Sequence, residues 1–169
     1  MSTISIKGFQ LAGIQWPGKT TNRNNQSSTD CGILWQKFEK ENIINHIPHR
    51  LSDTIYAVYF DYEDTSQEKF RYFIGCQIEK NVPVPEKLDT LWIPTQDYKI
   101  ITAQGKMTDC LTETWKNIWT LKIPRKFGFD FEVYDERSHN WNDAEVDIYL
   151  SLLMDTEDID MKKKLSLLP

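Results

Sequence analysis

The 169-residue chain carries 20 basic and 25 acidic residues, for a net charge of -5 with no long block of either sign; that length suits one domain with a sizeable core, and the charge argues against a basic nucleic-acid-binding surface. No apolar run approaches membrane-spanning length and no basic segment leads into an apolar stretch at the N-terminus, so a cytoplasmic protein with no membrane partner is expected. Cys31, Cys76 and Cys110 are odd in number and widely spaced, which favours apolar packing over a disulfide framework or a nucleophile, and with no metal-ligand or phosphate-loop motif neither a metal nor a cofactor is expected.

Ile4 to Trp16 reads as an opening strand, distorted at Gly8 or Gly13 and ended by Pro17-Gly18. The Thr-, Asn- and Ser-rich segment Lys19 to Thr29 reads as a loop and a candidate rim for a binding site. A helix is predicted from Asp30 to about Asn45, burying Cys31, Leu34, Trp35, Phe38 and one of Ile43 and Ile44. Such a stripe is ordinarily core, although Trp35 at its edge is also placed to wall a cavity. After Pro48, Thr54 to Phe60 and Phe70 to Ile78 form two strands joined by a polar turn through Glu63 to Lys69. The segment Glu79 to Thr95, with Pro83, Pro85 and Pro94, crosses between two halves and contains a short extended piece at Leu91-Trp92-Ile93.

The second half repeats the order of the first. Tyr98 to Gln104 reads as a strand closed by Gly105. Thr108 as N-cap and Asp109 at the positive end open a helix in which Leu111, Trp115, Ile118 and Trp119 recur at helical spacing. Pro124 and Gly128 end it and lead into Phe127-Gly128-Phe129-Asp130-Phe131-Glu132-Val133-Tyr134, an aromatic strand with an internal acid. Period-two geometry puts Asp130, Glu132 and Tyr134 on one side and Phe129, Phe131 and Val133 on the other. Glu132 then either faces water from a half-buried sheet or sits among the aromatic groups that Tyr134 and the helix indoles supply. Glu145 to Leu150 alternates as a last strand with one buried face. His46, His49 and His139 lie apart and suit surface or capping positions.

These elements predict an α+β fold of duplicated βαββ units: a mostly antiparallel sheet with two long helices on one face and a central groove between the halves. The domain is expected to occupy residues 1–154, followed by a tail, residues 155–169, read as a short helix.

Several segments stand in a recognisable order. Phe73-Ile74-Gly75-Cys76 closes the first half, Trp92-Ile93-Pro94 precedes Tyr98, Gly105 precedes the second helix and Trp115-Lys116-Asn117-Ile118-Trp119 lies within it. Phe129-Asp130-Phe131-Glu132-Val133-Tyr134 and Asp147-Ile148-Tyr149-Leu150 complete the series. Together, over Ile4 to Leu152, they resemble the gyrase-inhibitor-like, AraC-type effector-binding domain, and the chain is similar to the stand-alone integron-cassette branch of that family. The resemblance implies that the groove between the halves is a central ligand cleft, in which a buried glutamate faces aromatic walls and recognises lipophilic cations. Glu132 matches that glutamate. Trp115, Trp119 and Tyr149 match or neighbour aromatic cleft positions, Tyr134 shares the strand with Glu132, and Tyr59, Trp16 and Trp35 are assigned more loosely.

Unlike the fused members of the family, the chain shows no helix-turn-helix segment before or after this domain, so direct nucleic-acid binding is not expected. The implied partner is a lipophilic cationic small molecule, with a protein partner as a further candidate and a monomer or weak homodimer as the assembly. One competing reading is a small-molecule hydrolase in which Glu132 acts as general base and Tyr134 or Tyr149 orients the substrate or donates a proton. Another is a protein-interaction module working through the tail or the polar loop after Gly18.

Overall fold

The computed structural model describes residues 3–64 and 67–153. The predicted C-terminal helix therefore lies outside the described residues.

The opening apolar run makes two strands rather than one. Thr3–Ile6 (β1) and Phe9–Gln15 (β2) part at Lys7-Gly8, and each pairs with the opposite half of the molecule. Ile6 stands opposite Gln96 and Phe9 opposite Ile93, so this break faces Pro94-Thr95 on the antiparallel chain. Proline has no amide hydrogen to give the ladder. The gap is bridged by the Gly8 N–H, which donates to Thr95 Oγ1 at 3.0 Å.

After the short strand Thr20–Thr21 (β3), the first helix, α1, runs Gln26–Lys40 and so begins inside the predicted loop. Asn24 and Asn25 make the turn with φ of 55° and 58°, a left-handed backbone that asparagine tolerates better than most residues. Asp30 is consequently a buried helix residue, accepting from Thr20 Oγ1 and Gln26 Nε2 at 2.7 Å each. The helix stops short of Asn45 because Asn42 turns left-handed, at φ 50°, and Ile43–His46 form a separate 3-10 turn.

The remaining elements are Ile55–Phe60 (β4), Lys69–Ile78 (β5), Asp89–Ile93 (β6), Gln96–Gly105 (β7), Asp109–Thr120 (α2), Asp130–Tyr134 (β8) and Ala144–Ser151 (β9). The Thr108 side chain makes no capping bond at the start of α2; its carbonyl accepts from the Thr112 N–H instead.

All pairings are antiparallel, in the order β1-β7-β9-β8-β4-β5-β2-β6 with β3 on β5. The duplicated halves, β2-α1-β4-β5 and β7-α2-β8-β9, meet where β4 pairs with β8, with Ala57 opposite Glu132. Each half also exchanges a leading strand: β1 precedes β2 but edges β7, and β6 precedes β7 but edges β2. The short links Lys7-Gly8 and Pro94-Thr95 thereby tie the two ends of the sheet together and curl it.

Both helices cover one face of the curl. Leu34 and Phe38 of α1 pack on Ala12, Ile14, Ala57 and Ile74, and each contributes about 1.5–3 kcal/mol by burial. From α2, Ile118 alone is buried, against Ala103, Ile148 and Leu150, so this helix is held by less apolar contact. The other face carries Phe9, Leu11, Val58, Phe73, Tyr98 and Phe131.

Candidate functional site

One cross-strand row on the helix-bearing face contains an acid among aliphatic residues. It runs Ile101, Ile148, Glu132, Ala57, Ile74 and Ile14 across six successive strands, β7, β9, β8, β4, β5 and β2. Glu132 is 1% exposed, which rules out a solvent-facing carboxylate. The acid lies in the seam between α1 and α2, and the small side chain of Ala57 opposite leaves space for rings to converge on it.

Three neutral donors reach the carboxylate. Tyr59 Oη donates to Oε2 at 2.7 Å, Trp115 Nε1 donates to the same oxygen at 2.7 Å, and Tyr134 Oη donates to Oε1 at 2.6 Å. They come from β4, α2 and β8, so both halves build the site. The Tyr59 and Trp115 rings stand 5.2 Å apart, and Trp35 of α1 meets Tyr134 edge-on at 4.9 Å. Trp35 Nε1 donates to Tyr72 Oη at 2.9 Å, and Tyr72 lies 5.0 Å from Tyr59. Trp16 packs on the same cluster from the end of β2. Where a groove is predicted, the seam is thus occupied by rings: Tyr59, Trp35, Trp115 and Tyr134 are half-buried and lie over a fully covered carboxylate.

Burial pushes the Glu132 carboxyl above the ordinary glutamate value, and the hydrogen bonds from Tyr134, Tyr59 and Trp115 draw it only part of the way back. Burial first, then the Glu132 charge, raises the Tyr59 and Tyr134 phenols, so both remain protonated donors. The Cys31 thiol is likewise raised, chiefly by burial, in keeping with a packing role.

Asp130, on the same side of β8 and wholly buried, has a different environment. Its Oδ1 accepts from the Ser151 N–H and Ser151 Oγ at 2.7 Å each, and its Oδ2 accepts from Tyr62 Oη and Arg125 Nη2 at 2.8 Å each. The Arg125 guanidinium is 4.2 Å from the centre of the Phe127 ring, 5.0 Å from Trp119 and 5.9 Å from Trp115. Trp119 therefore faces the arginine, half exposed, and makes no hydrogen bond to Glu132. Nothing in the local periodicity signals Tyr72, whose partners Trp35 and Tyr59 lie on other elements, or Arg125, which is near Phe127 and Asp130 in sequence but in a connector with no helical or strand period.

Tyr149 stands on the opposite face of the sheet. Ile148 is the residue in register with Glu132, so Tyr149 pairs with Phe131 and their rings stack 4.7 Å apart. There it lines a cavity of about 400 Å³ with Phe9, Tyr56 and Phe131. A second cavity, of about 600 Å³, opens at the strand ends beside Phe60, Tyr62, Phe127 and Phe129. Among the described residues, no cluster of His, Cys, Asp or Glu is placed to hold a metal ion, and no helix is long and apolar enough to cross a membrane.

Comparison with known proteins agrees with this architecture. The structure of SAV2435 bound to tetraphenylphosphonium superposes with a TM-score of 0.73 at 17% identity, covering 90% of this chain and 93% of the other. The integron cassette protein VCH_CASS2 from the mobile metagenome of Vibrio cholerae gives 0.64 at 22% identity, covering 90% and 95%. In sequence, the chain is 28% identical over 123 residues to YobU of Bacillus subtilis, a protein provisionally assigned to transcriptional regulation, covering 70% of this chain and 77% of YobU. The family model for the integron-associated effector binding protein, Cass2, matches residues 4–152, and the chain belongs to that family.

Proposed function

We propose that the chain binds a lipophilic organic cation in the seam between α1 and α2, with Glu132 as charge partner and Tyr59, Trp115, Tyr134 and Trp35 as walls. The observation that carries this reading is that a wholly buried carboxylate is held by neutral donors alone: among the described residues, none of the ion pairs includes Glu132. A buried acid without a cation stays costly until one arrives. Partly exposed aromatic side chains above it suit the approach of a cation that carries its own apolar surface, at ~0.5 to 2 kcal/mol for each good cation–π contact. The binding of tetraphenylphosphonium by a protein of the same fold supports that ligand class.

On this reading Trp16 borders the wall, whereas Trp119 and Tyr149 act outside the immediate site. For the ligand to reach the carboxylate, one donor must yield. Trp115 is the candidate, since α2 buries only Ile118. The acidic net charge weighs against direct nucleic-acid contact; action through the small molecule and a protein partner, by a cytoplasmic monomer or weak dimer, completes the reading. The bond from Trp115 gives the test a readout. Tetraphenylphosphonium should quench tryptophan fluorescence in a saturable way, with affinity reduced at least about tenfold, ~1.4 kcal/mol, in Glu132→Gln. Equal affinity in a variant with native circular dichroism removes Glu132 from recognition.

A further inference from the structure

The Asp130–Arg125 pair has the composition of a cation site with its occupant already in place. Arg125 is buried, yet its Nε and Nη1 have no hydrogen-bond partner, and only Nη2 is engaged, with Asp130. Guanidinium groups in proteins ordinarily use several of their donors. Here aromatic faces take the place of those acceptors: Phe127 at 4.2 Å, Trp119 at 5.0 Å and Trp115 at 5.9 Å.

The enclosure is built at a conformational cost. Phe127 holds φ at 55°, a left-handed backbone uncommon for a bulky residue, and its ring contacts the guanidinium, Tyr62 at 5.4 Å and Trp119 at 6.2 Å. The connector that carries Arg125 is fixed to the end of β9, with the Lys126 N–H donating to the Ser151 carbonyl at 2.8 Å and the Leu153 N–H to the Pro124 carbonyl at 2.9 Å. Trp115 belongs to both sites, its indole N–H on Glu132 and its ring toward Arg125.

We propose that Arg125 is a tethered cation filling an aromatic box on Asp130, and that by occupying it Arg125 restricts the neighbouring Glu132 site to ligands with a single cationic centre. This rests on the reading of Glu132 as a cation partner. An empty box would offer two buried carboxylates on one side of β8, with Trp115 between them, to a ligand with two cationic groups. Arg125 is thus a specificity-determining residue.

The test uses Arg125→Ala with two sets of probes. Tetraphenylphosphonium and a xylylene-bridged bis-triphenylphosphonium are titrated against wild type and variant by fluorescence, and methylguanidinium is titrated against the variant by thermal shift. The proposal expects the ratio of dication to monocation affinity to rise at least about tenfold in the variant, the equivalent of ~1.4 kcal/mol. It also expects methylguanidinium to raise the variant's Tm while potassium does not, and Asp130→Asn to abolish that rescue. An unchanged ratio in folded variant overturns the proposal. If Arg125→Ala is unfolded in buffer, recovery of its circular dichroism by methylguanidinium supports the proposal and failure to recover overturns it. The methylguanidinium arm is independent of Glu132. Rescue together with no tetraphenylphosphonium binding to wild type would therefore retain the filled box while overturning both the Glu132 reading and the selectivity built on it.

Discussion

Asp130 and Glu132 are both buried on the same side of β8, but only Asp130 has a cationic partner, Arg125 at 2.8 Å. Glu132 is instead held by two phenols and an indole, all neutral. This difference in charge, more than the amount of aromatic surface, distinguishes a satisfied structural acid from one able to recruit a ligand. It also makes the proposed recognition dependent on pH.

In the ligand-free protein, burial raises the Glu132 carboxyl, so its charge is lost as pH falls through that raised value. Tetraphenylphosphonium does not titrate in this range. Its affinity should weaken as pH drops across the window in wild type and stay level in Glu132→Gln. A bound cation pulls the carboxyl back down, so binding near the raised value releases protons. Calorimetry in two buffers of different ionisation enthalpy should detect that release in wild type only.

The same shift has a consequence for folding. A carboxyl raised in the folded state makes no charge-related demand below its ordinary value. It opposes folding progressively as pH rises from there to the raised value. The Tm of Glu132→Gln relative to wild type should therefore increase across this window and level off above it. A difference that is constant with pH would show that the carboxyl is not raised.

The local parts of this arrangement were legible in the sequence, and the long-range parts were not. Period two placed Glu132 with Tyr134 on one side of its strand, helical spacing found Trp35 and Trp115, and the order of elements gave the duplication. The exchange of β1 and β6 was hidden because their pairing depends on residues about ninety positions away, as when Ile6 meets Gln96. For Tyr149, the alternation of its strand was readable, but its face was set by the register of Ile148 with Glu132, which no local pattern encodes. Asp30 looked like a helix start because an acid after a polar loop usually is one. The left-handed Asn24 and Asn25 moved that start upstream and left Asp30 buried.

Tyr134→Phe should separate the hydrogen bond from the aromatic wall. Tyr134 is the donor to Glu132 Oε1, at 2.6 Å, and its removal leaves that oxygen of a buried carboxylate short of a partner. The expected stability loss at neutral pH is about 1–3 kcal/mol. With one lowering influence gone, the midpoint of the affinity profile should also move to higher pH. Tyr62→Phe, which deletes a bond to Asp130 instead, should cost stability without moving that midpoint.

Ala57 provides the steric test. It faces Glu132 across the β4·β8 pairing and is fully buried on the helix-bearing side, where the rings converge. Ala57→Leu would place a branched side chain into that space. Overpacking of this kind costs about 1–3 kcal/mol, which in a domain of this size lowers Tm by roughly 2–4 °C per kcal/mol. Tetraphenylphosphonium binding should fall at least about tenfold, ~1.4 kcal/mol, because the added atoms crowd the rings that must move aside for the cation to reach the carboxylate. Val58→Leu, next along the strand but facing Phe73 and Phe131 on the other side, should show a comparable stability loss with affinity unchanged. Equal losses of affinity in the two variants would mean that binding follows overall stability, and the seam between the helices would no longer be the place where the cation sits.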